Sequence, residues 1–216
     1  LSPRLDARKR DRHDRIIAKL VGFLSKPKET FQKYPRSNTA ITAKYARAIA
    51  FYREGNLAKA IIALDHLITL EKENPYFWEL KGQILLEKNE KELARKAYEK
   101  AYSFSKDVII LQQLAKVELS LNTQKSNKDA LAYLEKAIRM TPDSAATWKQ
   151  LAIAQGRNGK IALAKLSLAE EALLRKDFAR ALKNALFVKK NLIQDLFAHQ
   201  RALDIINYVE QVLDRK

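Results

Sequence analysis

The chain has 216 residues, with 5 glycines, 5 prolines, no cysteine and a formal net charge of +16. Average usage would be about 7% Gly and 5% Pro, so this scarcity excludes turn-rich sandwiches and barrels. The glycines are scattered, with no G-x-G-x-x-G and no G-K-[ST], which excludes dinucleotide and Walker-type phosphate sites, and without cysteine there is no disulfide framework or thiolate chemistry.

In chain order, Asp6–Leu24 reads as a helix, almost wholly charged in its first half and apolar at Ile16, Ile17, Leu20 and Leu24 in its second. Pro27 and Pro35 bracket a short helix containing Phe31. Residues 1–36 carry 11 basic and 4 acidic side chains, nearly half of the excess charge, including Arg8, Lys9, Arg10, Arg12 and Arg15. This segment is expected to be a basic helical linker, 1–36, ahead of a repeat domain, 37–216.

From there, helix–turn–helix units follow with a period of about 34 residues. The first is marked by Tyr45, Ala48 and Phe51, then Gly55 and Leu57, then Ala60, Leu64 and Leu67. The second has Trp78, Gly82 and Leu85, a turn at Asn89, then Ala94, Tyr98 and Ala101. The third has Leu114, Val117 and Leu119, a long polar turn over Asn122–Lys128, then Ala130, Leu134, Ala137 and Pro142. The fourth has Trp148, Leu151, Ala152, Gly159, Ala164 and Leu168. Beyond it, the helix over Ile161–Arg175 can serve two units, closing the fourth and opening a degenerate fifth with a turn at Lys176-Asp177. A last helix with Leu196, Leu203, Ile206, Val209 and Leu213 is expected to cap the array.

These are the positions of the tetratricopeptide repeat (TPR), and their logic is steric. A large residue at position 4 fills the groove between the two helices, small residues at positions 8 and 20 let the backbones approach, and Gly at position 15 suits the left-handed residue that ends a helix. The expected fold is an all-α helix-hairpin solenoid of about four repeats, a degenerate fifth and a capping helix.

Catalytic machinery is not visible. His13, His66 and His199 are not at ligand spacing, H-E-x-x-H is missing, and the adjacent Glu170 and Glu171 point about 100° apart on a helix. Binding remains. First helices of such repeats line a groove, and the residues expected in it include Tyr45, Tyr52, Arg53, Glu79, Gln83, Gln113, Lys149 and Arg157, the mixture of Tyr, Gln and Arg that a peptide groove uses. The basic N-terminal cluster has no interleaved aromatics and is interrupted by Asp6, Asp11 and Asp14, so nucleic acid is not expected. No apolar stretch approaches the 18 residues of a membrane span.

Several stretches go beyond a generic repeat: His13–Leu24, Lys44–Ala50, Asn74–Gln83 and Ser144–Arg157. They resemble the C-terminal half of the TPR-containing bacterial zinc metallopeptidases, the family of the beta-barrel assembly-enhancing protease. The resemblance fits less well over Asn122–Lys128 and Leu192–His199, where a shorter turn is expected. It implies a parent with an upstream H-E-x-x-H domain, a periplasmic location and a role in outer-membrane protein quality control, the repeats holding a substrate or docking on their own protease domain. Zinc would belong to that missing domain, so no cofactor is expected in this chain. The start at Leu1 fits an excised piece. The other reading is a stand-alone scaffold, with an anionic partner at residues 1–36.

Overall fold

The computed structural model describes residues 3–214, with side chains from residue 13 onward; the cluster Arg8, Lys9, Arg10 and Arg12 lies outside the described side chains. Every regular element among these residues is an α-helix: α1 (Pro3–Leu24), α2 (Pro27–Lys33), α3 (Ile41–Arg53), α4 (Leu57–Leu70), α5 (Pro75–Glu87), α6 (Lys91–Ser105), α7 (Val108–Leu121), α8 (Gln124–Met140), α9 (Ala145–Arg157), α10 (Ile161–Leu174), α11 (Phe178–Asn191) and α12 (Leu196–Asp214). The chain divides into two compact units, Leu1–Ser105 and Lys106–Lys216.

Local chemistry starts and stops these helices. Side chains of Asn56, Asn74, Asp107, Thr123, Ser144 and Asp177 accept hydrogen bonds from the first-turn amides of α4, α5, α7, α8, α9 and α11, satisfying donors that have no partner within the helix. Gly55 and Gly159 hold φ of 80° and 75°, as position 15 requires. Asn89, Asn122 and Lys176 take the same left-handed role at the other hairpins, with φ of 62°, 54° and 60°.

The long polar turn expected over Asn122–Lys128 does not exist. α8 begins at Gln124, because Thr123 and Ser126 form a reciprocal cap: Thr123 Oγ1 accepts from the Ser126 amide at 3.0 Å and Ser126 Oγ from the Thr123 amide at 2.8 Å. Asn127 is buried one turn in, its backbone carbonyl accepting from Asn158 Nδ2 at 2.8 Å.

In the first unit, α3 packs on α4 and α5 on α6 as antiparallel hairpins, and α1 packs extensively on α3. Small residues permit this. A Cβ on Gly82 would sit 2.9 Å from the Tyr98 ring of α6, and one on Gly22 would sit 2.9 Å from Ile49 Cβ of α3. The core holds Ile49, Leu64, Leu67, Phe77 and Ile84, essentially inaccessible, each contributing roughly 1.5–3 kcal/mol by burial. The position-4 tryptophans are only partly buried. Their indole Nε1 atoms donate 2.8 Å hydrogen bonds to carbonyls six residues upstream, Trp78 to Lys72 and Trp148 to Pro142.

In the second unit α10 packs heavily on both α9 and α11, so one helix closes one hairpin and opens the next. The face of α12 that it buries is Ala198, Ala202, Ile205, Ile206 and Val209, whereas Leu196 and Leu213, expected to face inward, are exposed. Adjacent Glu170 and Glu171 are buried but separately neutralised. Arg201 binds Glu170 through two hydrogen bonds of 2.5 and 2.9 Å, and Arg175 and Arg180 bind Glu171.

Candidate functional site

A cleft of about 430 Å³ opens in the first unit between α1, α3 and α5. Its walls are Ile16, Leu20, Phe23 and Leu24 from α1, Ile41, Thr42 and Tyr45 from α3, and Tyr76 and Phe77 from α5. Ile16, Leu20 and Leu24 recur every four residues and so share one helical face. All three are exposed, Leu24 by 77%, as is Tyr76. Apolar side chains left open to water along one wall are what a binding cleft presents and a finished core does not.

Charge pairs hold the cleft's walls. Arg15 of α1 grips Glu71, at the end of α4, through two hydrogen bonds of 2.5 and 2.6 Å. That contact holds the Glu71 carboxyl below the usual carboxylate range, against the opposing effect of partial burial. Lys19 Nζ lies 4.7 Å from the centroid of the Tyr76 ring and 3.8 Å from Glu79, tying α1 to the N-terminal part of α5. Tyr45 forms the floor: it is 5% exposed, stacks obliquely on Phe77 with ring centroids 5.0 Å apart, and burial beside Glu79 pushes its phenol far above its ordinary pKa.

A shallower depression of about 570 Å³ shares Phe23 with the cleft and continues to Tyr52, Arg53, Leu57, Gln83 and Glu87. Gln83 Nε2 donates to the Tyr52 hydroxyl at 2.6 Å, and that hydroxyl donates to Glu87 Oε1 at 2.6 Å. Burial and the Glu87 hydrogen bond push Tyr52 up to about 12, so its proton stays in place at neutral pH. Arg53 donates to the Ser25 carbonyl just past α1.

The first unit therefore gathers Tyr45, Tyr52, Arg53, Glu79 and Gln83 on the side of α3 and α5 that α1 adjoins. The remaining three sequence candidates sit in the second unit. Gln113 is half-buried on α7, Lys149 is exposed on α9, and Arg157 donates to the Leu119 carbonyl near the end of α7 and to Asn127 Oδ1, bracing α9 against its neighbours. Sequence reasoning did not assign the α1 wall to the site, although the row Ile16, Leu20, Leu24 was visible as an apolar face.

Among the described residues no group of three or more His, Asp or Glu side chains is placed to hold a metal ion. His13 lies beside Asp14 at 3.7 Å, and His66 Nε2 is 3.2 Å from Lys44 Nζ.

Residues 45–107, spanning the floor of this cleft and the α5–α6 hairpin, match the family model of the tetratricopeptide repeat. Over that stretch the chain is recognised as tetratricopeptide repeat. Its all-helical TPR fold is shared with solved structures at low sequence identity. MamA from Desulfovibrio magneticus RS-1 aligns with a TM-score of 0.64 and 16% identity over 77% of this chain and 95% of that one. YrrB, described as a TPR protein with an unusual peptide-binding site, aligns with a TM-score of 0.60 and 18% identity over 86% and 98%. Among curated proteins, anaphase-promoting complex subunit 7 of Dictyostelium discoideum is 26% identical over 172 residues, 74% of this chain. The match spans only 27% of that relative's length. Among the described residues no helix is long and apolar enough to cross a membrane.

Proposed function

We propose that the chain is a protein-interaction module whose first unit holds a partner peptide by inserting an apolar side chain into the cleft between α1, α3 and α5. The observation that carries this reading is the open apolar row Ile16, Leu20, Leu24 facing Tyr45 and Tyr76. Arg53, Gln83 and Glu87 in the adjoining depression supply polar groups to a peptide backbone leaving the cleft. Selecting binders from a random peptide library on the intact chain tests it. Enriched peptides should share one large apolar residue, and Leu20→Glu should weaken them at least about tenfold by placing a charge in the apolar wall. Peptides that bind Leu20→Glu as well as the parent chain would refute the assignment.

We further infer, from the resemblance of Asn74–Gln83 and Ser144–Arg157 to the TPR half of periplasmic zinc metallopeptidases, that the module serves a peptidase parent, with zinc confined to a separate catalytic domain. That resemblance alone supports the peptidase, its own-domain docking and the periplasmic location. A stand-alone scaffold fits the same cleft and the same relatives equally well. The coding sequence upstream of Leu1 separates them: an H-E-x-x-H motif in frame supports the peptidase, and a start codon adjacent to Leu1 removes it.

A further inference from the structure

The largest exposure of apolar side chains on the second unit is concentrated where α11 turns into α12. Ile193 in the connecting loop is 64% exposed, and Leu196 and Phe197 in the first turn of α12 are 77% and 91% exposed. Three large apolar groups protruding within five consecutive residues are costly in water. The Asp195 side chain accepts from the Ala198 amide at 3.0 Å, so the turn that presents them is a capped helix start.

Immediately behind this tip the surface is cationic. α11 carries Arg180, Lys183, Lys189 and Lys190 and no acidic residue over its whole length. Lys183, Lys189 and Lys190 are exposed and enter no ion pair among the described residues. Lys165 Nζ of α10 lies 5.8 Å from the Phe187 ring centroid, adding a further cation beside an exposed aromatic of α11. Lys189 and Lys190 in the last turn of α11 are within eight residues of Phe197, so the charges and the apolar tip are close neighbours along the chain.

We propose that the α11–α12 tip docks on an anionic lipid bilayer, with Ile193, Leu196 and Phe197 entering the acyl boundary and the α11 lysines lying against the headgroups. Two independent features select this occupant. A row of phosphates alone, as in nucleic acid, would satisfy the lysines and leave three aliphatic and aromatic tips in water. A neutral apolar socket on another protein would leave the acid-free row of lysines without counter-charge. An anionic membrane surface satisfies both, combining hydrophobic insertion with attraction of about 1 kcal/mol per lysine near the surface.

Vesicle sedimentation of the intact chain tests this, using phosphatidylcholine vesicles with and without one-quarter phosphatidylglycerol. Binding is expected to the anionic vesicles only, and to weaken with salt. Phe197→Ser combined with Leu196→Ser, and separately Lys189→Glu combined with Lys190→Glu, should each reduce it at least about tenfold. These positions are exposed, and unchanged circular dichroism will show that the variants fold. Phe197→Trp reports depth: its added fluorescence should be quenched by brominated acyl chains. Equal binding to both vesicle types, retention in either double variant, or no quenching of the added tryptophan would overturn the proposal. Leu20→Glu, which disables the cleft, should leave vesicle binding unchanged, so the two sites stand or fall separately.

Discussion

At the residue scale, glycine means different things at Gly82 and Gly156, although both lie inside helices. Alanine at Gly82 would place its Cβ 2.9 Å from the Tyr98 ring, whose neighbours in the hairpin leave it little room to move. The strain of roughly 1–3 kcal/mol exceeds the gain in helix propensity of about 1 kcal/mol, so Gly82→Ala should lower the melting temperature. At Gly156 a Cβ meets nothing within 4 Å, and Gly156→Ala should raise stability by about 0.5–1 kcal/mol. Paired thermal melts check both signs at once. Lys176 holds φ of 60° at a hairpin turn where Gly55 and Gly159 sit in the equivalent place. Lys176→Gly should therefore stabilise by about 1 kcal/mol, measured by denaturant midpoint, because the left-handed backbone no longer opposes a Cβ.

At the element scale, the decisive contact is the docking of α1. Gly22 lets it approach α3, Lys19 reaches Tyr76 and Glu79, and Arg15 clasps Glu71. The depressed carboxyl of Glu71 fixes the sign of the pH dependence. Its contribution is fully present above the ordinary carboxylate pKa of about 4.3 and is lost as pH falls through the lower folded value. Amides of α1 should consequently exchange faster than those of α3 as pH drops below about 4, after correction for intrinsic rates. Glu71→Gln should abolish that difference while costing about 0.5–1 kcal/mol at neutral pH, as expected for a partly exposed bidentate pair. If α1 protection stayed pH-independent in the parent chain, the Arg15–Glu71 contact would not be what holds it.

At the scale of the molecule, the hairpins were legible because their signals are local and periodic. Ala48 with Ala60, Gly82 with Ala94, and the two tryptophans recur at fixed spacing, and each is a small or large residue placed for one packing reason. The turn after α7 was misread because Ser126, Asn127 and Lys128 look like loop residues. Ser126 in fact completes a cap, and Asn127 is bonded from α9, a partner 31 residues away. The α12 face was misread for a similar reason, since Leu196 belongs to an exposed tip and alanines supply two of the five buried residues. The cleft was half legible. Tyr45, Tyr52, Arg53 and Gln83 follow from repeat position, but α1 reads as a charged linker until Arg15 meets Glu71 across 56 residues, a pairing with no sequence signature.

If a partner peptide sits in this cleft, walled by α1 and floored by Tyr45, its contacts will report there. Nuclear magnetic resonance titration of the isotope-labelled chain with a library-selected peptide tests it most directly. The largest amide shifts are expected in residues 15–24, 41–45 and 74–77, with smaller ones reaching Tyr52 and Gln83. Shifts centred instead on α9 around Lys149 and Arg157, with α1 unmoved, would contradict it.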